Sequence, residues 1–586
     1  MEPADAAYGA LLAVRFALAF APGYLHPDEY FQSLEPAASL LLGTRQPLAW
    51  EFNAEQRGRE PIRSWAAPLV SCGPGMMLVL PLLSAVMPQS PARAVVLSVR
   101  IPLALASLAL DAAVATLCRR HGWPVRRTLL VLASAWPLLT YALRPFSNTL
   151  ELYCLAAALL LALPTPRSPT PSARAMVGLG ALLAVGTWIR FTFIIWAAPA
   201  LYAALIARRS PLLVCAGLIP AAAALIVLDA RLYGGVCADT WLSCVTPLEA
   251  ARYNVKYGNL AAHGVHSRVT HAGLNAPFLF SALFLAFSPA CAEEFAAWRE
   301  ARVGDGGRRR DRADAKRSTR RRQSSSATSA RAAKIEEPVV TARSVLRWTV
   351  LTGLGVLSAA PHQEARFLLP ALLPLALLHA TDATCNRGRT AMWALYNLGV
   401  AAAIGFAHQG GIVGALETAR ALAIDSASAA PPSALTPGLC DGAVGVLFWR
   451  TYSPPTSLTL TGEMGEIVKL RLEIVDLMSA HVDAVAYELR AKLDVKYAPS
   501  MLKNYGSSPF FAPVSRWRAA CAGGVYIVMP APRVAAARAA AAAARVNLTL
   551  LEEVWPHASA EDPPWALDDA RLVVLRAEEP AAEDRD

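Results

Sequence analysis

Long apolar stretches recur through the first part of the chain, and short segments that carry most of the charges separate them. A helix needs ~20 apolar residues to span a bilayer, with a usual range of about 17–25. The apolar stretches therefore predict membrane-spanning helices, with boundaries soft by ~2–4 residues. The predicted spans lie near 7–22, 66–88, 94–118, 128–143, 150–164, 176–189, 191–206, 211–229, 277–292, 345–361, 367–381 and 391–407.

Lysine and arginine in the short loops set the predicted orientation, because they favour the cytoplasmic side of a membrane. The basic segments are 119–127, 165–174, Arg208 with Arg209, 299–334, and Arg387 with Arg389. Placing all of them in the cytoplasm predicts about eleven crossings, with the N-terminus in the cytosol and the C-terminus in the lumen. This count requires that 176–206 forms a broken hairpin or a similar pair of short passes.

If the apolar stretch 66–88 also crosses the membrane, the segments before and after it can no longer both lie on their predicted sides. Its helix-breaking residues are Pro68, Gly73, Pro74, Gly75, Pro81 and Pro88. Proline removes a backbone donor, and broken backbone at membrane depth is tolerated where it is buried in protein or lines a cavity. We therefore expect 66–88 to be re-entrant or interfacial.

The pattern changes at about residue 408, which divides the chain into two predicted domains. Residues 1–407 form a predicted transmembrane module. Its predicted loops are 22–93 and 230–276 in the lumen, and 296–344, basic and disordered, in the cytosol. Residues 408–586 lack a clear span and predict a small mixed α/β luminal region. This region contains an N-glycosylation sequon at Asn547, which needs a luminal location to be used.

Composition agrees with a polytopic membrane protein. Of the 586 residues, 55% are hydrophobic and 17% are charged, against a soluble norm of about 25% charged. The net charge of +11 comes mostly from 299–334, where thirteen basic and four acidic residues supply +9. Such a run is usually a solvated loop, so no nucleic-acid partner is expected. A soluble multidomain chain, a disordered chain and a collagen-like chain are all excluded.

The ten cysteines contain no CxxC pair and no zinc spacing, so no metal site is predicted. His263 and His266 have a His-x-x-His spacing, but no nearby residue completes a metal site. Two cysteine pairs could form disulfides in an oxidising lumen. The candidate pairs are Cys237 with Cys244, and Cys440 with Cys521.

Polar clusters lie at the predicted luminal ends of the spans, where ionisable groups are costly and commonly mark function. The candidates are His26, Asp28, Glu29, Gln32 and Glu35, then Arg144, Asn148 and Glu151, then His263 and His266, then His362, Glu364 and Arg366, and finally His408. Two further segments, 50–52 and 61–64, are more typical of a solvated loop. Because all clusters fall on one predicted side, they indicate one luminal site for a substrate with a lipid tail and a charged headgroup.

Each cluster also has a structural interpretation that stays open from the residues alone. Asp28 and its acidic neighbour could simply occupy a helix N-terminus, where acids are favourable. Arg144 needs an anionic partner, which could be Glu151 or a phosphate on a ligand. Glu364 and Arg366 could pair with each other in a polar loop.

Three of these motifs resemble glycosyltransferase family 22, a family of integral membrane mannosyltransferases with the GT-C fold. His26 to Gln32, HPDEYFQ, with Glu35, is similar to the first luminal loop of that family. Residues 144–151 resemble its R-x-F-S-N-x-x-E element, and residues 362–370 resemble its H-[KQ]-E-x-R-F element. Their order and spacing agree over roughly 7–575. The resemblance implies an all-α polytopic membrane protein, a GT-C type helical bundle.

The resemblance also implies an inverting mannosyltransferase of the endoplasmic reticulum membrane that uses dolichyl phosphate mannose at a luminal active site, without a cofactor. Asp28 is the expected base, and Glu29 is the alternative base or a ligand of sugar hydroxyls. Arg366, His362, Arg144 and Glu364 are expected to bind the donor phosphate or sugar. His26, Gln32, Glu35, Asn148, Glu151, His263, His266 and His408 are expected to support the acceptor or the loops.

Within the family, four features resemble the branch that adds the fourth mannose of a glycosylphosphatidylinositol (GPI) anchor precursor, by an α-1,2 linkage to the third mannose. They are Gln363, 259–264, 408–411 and 449–455. The alternatives are the branch that adds the third mannose and the enzymes that extend dolichol-linked oligosaccharides. A transporter would place charges at midplane in repeated broken helices, and we find no such repeat. The intact Asp28, Glu29 and Arg366 argue against a catalytically inactive scaffold.

Overall fold

The computed structural model describes residues 3–44, 48–53, 61–165, 168–234, 244–289, 341–429, 444–459, 472–493, 524–559, 562 and 569–578. Helices follow the apolar stretches, because a segment in lipid must satisfy its backbone groups internally. The principal helices are Pro3–Ala19, Glu35–Leu42, Ala66–Val86, Pro91–His121, Val125–Ser134, Trp136–Leu143, Ser147–Ala162, Ala173–Ile189, Phe193–Arg208, Pro211–Tyr233, Thr246–Val255, Ala342–Ser358, Leu372–Ala383, Arg387–Ala407 and Ile412–Ala429. Short helical segments lie at Tyr30–Leu34, Tyr257–Ala261, His271–Asn275, Ala276–Phe280 and Ala365–Ala371.

Within the described residues, four helices are long and apolar enough to cross a membrane, and a bent pair makes a fifth if it counts as one span. The four are Ala66–Val86, Pro91–His121, Pro211–Tyr233 and Arg387–Ala407, and the pair is Trp136–Leu143 with Ser147–Ala162, bent by 111°. Other apolar helices, such as Ala173–Ile189 and Phe193–Arg208, are shorter than ~20 residues. The bundle is therefore a polytopic helical membrane fold, and the number of about eleven crossings stays a prediction.

The prolines and glycines of 66–88 do not break the helix, and the expected re-entrant or interfacial position of this stretch stays a prediction. Ala66–Val86 is one continuous helix of 21 residues, and its length and composition suit a membrane span. Pro74 lies inside it, directly before a π-helical turn at Gly75–Val79. A π-turn is one of the ways in which a helix accommodates an interrupted hydrogen-bond ladder. The prolines therefore modify this helix locally without ending it.

The C-terminal region contains the predicted small α/β unit, built on a five-stranded sheet with the order β2-β1-β3-β5-β4. The strands are β1 Val444–Phe448, β2 Leu472–Asp476, β3 Val525–Pro530, β4 Asn547–Val554 and β5 Leu572–Glu578. Strand β1 is parallel to β2 and β3, whereas β5 is antiparallel to β3 and β4. The helices of this region are Val482–Leu493 and Val534–Ala543.

Both faces of the central strands are buried, and this fixes the sheet against the membrane bundle. On one face, Leu447 and Ile527 pack in a cluster that includes both helices of the region. On the other face, Phe448 and Val528 pack with Leu416 of Ile412–Ala429 and with Tyr24 and Tyr30 of the first loop. The C-terminal region therefore lies directly on the loop that carries the first polar cluster.

Some predicted features fall wholly or partly outside the described residues. Of the predicted basic loop 296–344, only the last four residues are described, and they enter helix Ala342–Ser358. Cys237, Cys440 and Cys521 lie outside the described residues. Cys244 is disulfide-bonded, and its pairing with Cys237 stays a prediction. Asn547 is exposed at the start of β4.

Candidate active site

The site begins after the first helix, where the chain runs through a tight loop from Gly23 to Asp28. The Gly23 amide donates to the carbonyl oxygen of Gly405 (3.0 Å), which ties the loop to the membrane bundle. A Cβ on Gly23 would lie 2.3 Å from that oxygen, so the approach requires glycine. The Pro27 carbonyl oxygen then accepts the Tyr30 amide (3.0 Å). Asp28 lies in the turn that this bond closes, and its side chain lines a cavity.

Arg366 lies between two carboxylates and joins the first loop to a distant part of the chain. Its Nη1 is 2.6 Å from Asp28 Oδ2, and its Nε donates to Glu364 Oε2. The backbone at Glu364 is extended and leads into the helical turn Ala365–Ala371. This local structure brings an acid and a base of the same short segment together beside Asp28. The predicted pairing of Glu364 with Arg366 therefore exists, and it forms part of the cluster around Asp28.

The cations of this cluster decide the protonation of its acids. Burial acts to raise the pKa of Asp28, but the Arg366 guanidinium and the His26 ring hold that pKa below its usual range. Burial acts in the same direction on Glu364, and Arg366 with the His362 hydrogen bond holds the pKa of Glu364 well below its usual range. Both groups are therefore ionised at neutral pH.

Histidines surround the same carboxylates. His362 Nε2 is 2.6 Å from Glu364 Oε1, and His26 Nε2 is 3.5 Å from Glu364 Oε2. The other nitrogen of His26 accepts the Asp28 amide (3.2 Å). His266 Nδ1 accepts the Gln363 amide (3.2 Å), and its ring lies 5.5 Å from the His362 ring. The first loop, the 361–367 segment and the loop before His271–Asn275 thus meet at one place.

A cavity of about 520 Å³ opens beside the charged cluster. Its lining includes Asp28, Gln32, Arg190, His362, Glu364 and Arg366. Another part of the lining carries aromatic rings and a paired ion. The Trp50 ring stacks on His263 at a centroid distance of 5.9 Å, and the Tyr253 hydroxyl is 3.0 Å from His263 Nε2. Arg63 pairs with Glu51 (3.0 Å). Such a mixture of apolar faces and convergent polar groups is typical of a small-ligand site.

Glu29 and Arg144 are not among the described residues that line this cavity, and their expected contacts with the substrates stay predictions. Glu29 is 1% exposed, and its Oε1 lies 2.5 Å from Arg100 Nη2 and 3.4 Å from Arg144 Nε. Arg144 also donates to the Gly23 carbonyl oxygen (3.1 Å). In this buried cluster two arginines share one carboxylate, and their contacts hold the first loop. Of the two adjacent acids, only Asp28 reaches the cavity.

Glu151 pairs with a residue other than Arg144. Its Oε1 accepts the Thr192 hydroxyl (2.8 Å), and its Oε2 lies 3.5 Å from both Arg190 Nε and the Asn148 amide nitrogen. Glu151 and Asn148 are buried. Glu151 therefore contacts a cavity arginine, Arg190, and neither Glu151 nor Asn148 is among the described residues that line the cavity.

Residues 6–461 match the model of the Alg9-like mannosyltransferase family. The chain belongs to the Alg9-like mannosyltransferase family. The predicted resemblance to glycosyltransferase family 22 is confirmed, and the protein is a membrane glycosyltransferase.

Individual relatives agree with this family. The human protein named GPI alpha-1,2-mannosyltransferase 4 is 30% identical over 489 residues, which cover 80% of this chain and 77% of the relative. The GPI mannosyltransferase 4 of Yarrowia lipolytica is 27% identical over 461 residues, covering 76% and 75%. Among solved structures, ArnT from Cupriavidus metallidurans bound to undecaprenyl phosphate covers 97% of both chains, with a TM-score of 0.46 and 11% identity.

Glu35 and His408 are the two remaining predicted site residues of this Alg9-like mannosyltransferase. They lie between the first loop and the C-terminal region. Glu35 accepts the Ser457 amide (3.2 Å), and burial raises the pKa of Glu35 to about 7. His408 Nδ1 is 2.9 Å from the Tyr24 carbonyl oxygen, and burial lowers the pKa of His408. Neither is among the described residues that line the cavity. Their contacts suit support of the loop and not contact with a ligand.

No group of three or more His, Cys, Asp or Glu that could hold a metal ion occurs in the described part of this mannosyltransferase. The His-x-x-His pair contacts other residues instead. His263 is bonded to Tyr253, and His266 accepts the Gln363 amide.

Arg190 lines the cavity of this mannosyltransferase although it is not among the site residues predicted from the sequence. The segments 50–52 and 61–64, for which the sequence favours a solvated loop, also contribute to the cavity. Arg190 did carry a signal, because it is the one charged residue between the apolar stretches 176–189 and 191–206. The segment around Trp50 carried none, since its residue types are common in solvated loops. Its ring contacts with the distant Tyr253 and His263 reveal its place in the site.

Proposed function

We propose that this protein transfers mannose from dolichyl phosphate mannose to the third mannose of a GPI anchor precursor, forming an α-1,2 linkage. The family supports mannose transfer. The names of the human and Yarrowia relatives support a GPI acceptor and the fourth-mannose step, and the human name supports the linkage. The observation that carries the proposal is Asp28, held ionised by Arg366 at the edge of a cavity of about 520 Å³.

The proposed reaction is a single displacement with inversion. The acceptor hydroxyl oxygen bonds to the anomeric carbon of mannose while the bond from that carbon to the phosphate oxygen breaks. Asp28 takes the hydroxyl proton, which requires an approach of about 2.6–3.2 Å. Dolichyl phosphate leaves with the bonding electron pair. Because Arg366 lowers the pKa of Asp28, this carboxylate is a weak base. Stabilisation of the leaving phosphate must then supply much of the rate.

His362 and Glu364 are proposed to hold the donor. His362 Nδ1 is buried and has no hydrogen-bond partner among the described residues, while its Nε2 is bonded to Glu364. A buried polar atom without a partner is costly, and a phosphate or sugar oxygen in the cavity would satisfy it. The hydrogen bond between Nε2 and Glu364 fixes the orientation of the ring.

The proposed location is the membrane of the endoplasmic reticulum, with the site at the luminal face. Both substrates are lipids, so their tails stay in hydrocarbon while the headgroups meet at the membrane surface. The disulfide at Cys244 supports an oxidising compartment for the loop that also carries His263.

Microsomes that lack the endogenous fourth-mannose activity provide the test. They would receive labelled dolichyl phosphate mannose and a three-mannose GPI precursor, with wild type, Asp28→Asn or Asp5→Asn supplied in turn. Asp5→Asn is a matched control, because it removes an exposed carboxylate far from the site. We expect wild type and the control to make a four-mannose GPI, and Asp28→Asn to be slower by about 100-fold or more.

The alternatives give distinct results in the same assay. Equal activity of Asp28→Asn and wild type would exclude Asp28 as the base. If wild type extends a two-mannose GPI or a dolichol-linked oligosaccharide instead, the family stands and the proposed step is wrong.

A further inference from the structure

Arg190 is a cavity residue to which nothing above assigns a function. It follows helix Ala173–Ile189, and its amide caps that helix by donating to the Gly186 carbonyl oxygen (2.9 Å). Phe193–Arg208 begins three residues later. An arginine between two apolar helices is expensive to place and commonly marks a functional site. Its side chain is 9% exposed and lines the same cavity as Asp28 and Arg366.

The distance from Arg190 to its carboxylate partner is longer than the corresponding distances of Arg366 and Arg63, which also line the cavity. Arg366 lies 2.6 Å from Asp28 and also bonds Glu364, so two carboxylates offset its charge. Arg63 lies 3.0 Å from Glu51. Arg190 is 3.5 Å from its nearest carboxylate. Of these three guanidinium groups, that of Arg190 is the least neutralised by a neighbouring acid.

Arg190 also keeps hydrogen-bonding capacity for a ligand. Its Nη1 donates to the Ser147 hydroxyl (3.0 Å), and its Nε makes a long contact with the Thr192 hydroxyl (3.4 Å). Its Nη2 makes no hydrogen bond within the part of the chain that the structure describes. A guanidinium offers paired donors that match two oxygens of a phosphate. The Ser147 and Thr192 contacts hold the group while leaving that capacity open.

The Phe367 ring lies against both Arg190 and Arg366. The guanidinium carbons of Arg190 and Arg366 each lie 5.2 Å from the centre of its ring. Contact with an aromatic face restrains a guanidinium with little loss of its hydrogen-bonding edge. The ring therefore holds Arg190 and Arg366 side by side at the cavity, and a donor phosphate in that cavity is within reach of the Arg190 guanidinium.

We propose that Arg190 binds the phosphate of the lipid-linked sugar donor, the function that the sequence motif suggested for Arg144. This inference rests on the proposed function and adds the residue that stabilises the leaving group. Negative charge grows on the phosphate as the bond to the sugar breaks. A cation that is only loosely paired in the free enzyme can therefore bind the transition state more tightly than the ground state.

Steady-state kinetics in proteoliposomes would test this assignment with Arg190→Gln, Arg190→Lys and the matched control Arg208→Gln. Arg208 ends the helix that begins beside Arg190, and it donates to the backbone oxygen of Pro171 on an exposed surface. We expect Arg190→Gln to lower kcat/KM for dolichyl phosphate mannose by about tenfold or more, with an unchanged KM for the GPI acceptor. Arg190→Lys should recover part of the loss, because it keeps the charge without the paired donors.

Several outcomes would overturn the assignment. An unchanged kcat/KM for the donor in Arg190→Gln would do so, and so would an effect confined to the KM for the acceptor, which also carries a phosphate. If Arg190→Gln fails to fold, because Glu151 loses its cation, the donor dependence of Arg190→Lys decides the question.

Binding of dolichyl phosphate to the purified protein in lipid nanodiscs separates this inference from the proposed function. Wild type should bind it, and Arg190→Gln should bind about tenfold more weakly. Inorganic phosphate at the same concentration serves as the comparison. If wild type binds dolichyl phosphate through Arg190 and transfers mannose to none of the acceptors, the proposed function fails and the Arg190 site stands. If wild type transfers mannose and both proteins bind equally, the Arg190 site fails alone.

Discussion

Asp28 and Glu29 are adjacent in the chain and occupy different environments. Asp28 faces the cavity, whereas Glu29 lies in a buried cluster with Arg100 and Arg144. The backbone turn that follows Pro27 separates the two side chains. Their chemical identity is nearly the same, so their surroundings alone decide which one can meet a ligand.

Glu29→Gln should act mainly on stability. The change leaves two buried arginines without their shared carboxylate, and breaking a buried pair costs about 3–5 kcal/mol. Thermal unfolding of the purified protein in detergent would show a lower Tm. Asp5→Asn is the control, because its pair with Arg126 is exposed and worth at most about 1 kcal/mol. An unchanged Tm together with a selective loss of mannose transfer would instead indicate that Glu29 takes part in the reaction.

Arg366→Gln should change the pH dependence of the reaction. Without the guanidinium, burial is opposed mainly by His26, so the pKa of Asp28 rises. The acid limb of kcat/KM should then move to higher pH. In wild type the pKa of Asp28 is depressed, so its contribution to stability is present above ~3.9 and is lost only as the pH falls towards the lower folded value. A pH profile measured from 5 to 8 in both proteins checks this, and an acid limb that stays in place would refute it.

The sequence predicted which residues line the cavity better than it predicted their ion-pair partners. The motifs around Asp28 and around His362 to Arg366 predicted residues that do line one cavity. The same reasoning placed Arg144 with them, because an arginine near the membrane needs an anion and the sequence does not say which one. Glu29 proves to be that anion. Such pairings depend on distances across the fold, which local pattern does not contain.

At the scale of helices, close contact between Ala173–Ile189 and Pro211–Tyr233 depends on two glycines. A Cβ on Gly180 would lie 1.9 Å from the Val214 carbonyl oxygen, and a Cβ on Gly217 would lie 1.9 Å from the Val177 carbonyl oxygen. Small residues let helix backbones approach in membranes, where packing drives association. The two helices therefore contact each other backbone to backbone.

Gly180→Ala should destabilise the protein by about 1–3 kcal/mol, because the added methyl group meets backbone that cannot rotate away. Gly178→Ala is the control on the same helix, since its nearest neighbour is a flexible Leu161 methyl at 3.5 Å. Size-exclusion profiles and Tm values of the two variants in detergent give the comparison. Equal behaviour of the two variants would show that the contact is not tight.

Helix positions followed from apolar length, whereas their continuity did not. The prolines of 66–88 favoured a broken segment, yet Ala66–Val86 continues through a π-turn. Whether a proline ends a helix depends on what packs around it. That information belongs to tertiary structure and is absent from the local sequence.

At the scale of the whole molecule, Tyr452 connects the C-terminal region to the active-site loop. Its ring lies 5.4 Å from Tyr24, 6.4 Å from His26 and 5.3 Å from His408. His26 in turn contacts both Asp28 and Glu364. The C-terminal region therefore helps to hold the charged cluster, although its residues do not carry the chemistry proposed here.

Tyr452→Ala should lower both the Tm and the rate of mannose transfer, with a destabilisation of about 1–3 kcal/mol from lost packing. Tyr452→Phe should keep most of both, because the ring contacts remain. Transfer assays and thermal unfolding of the two variants test this connection. If Tyr452→Ala transfers mannose at the wild-type rate, the C-terminal region does not position the site.

The crossing of Gly180 and Gly217 also has a consequence for how the protein is made. Phe193–Arg208 lies between the two helices in the chain, so the second partner emerges only after roughly forty further residues have been synthesised. At ~5–20 residues per second, this takes about 2–8 s. During that interval the backbone surface around Gly180 has no helix to cover it. Translation therefore sets the earliest moment at which this part of the bundle can form.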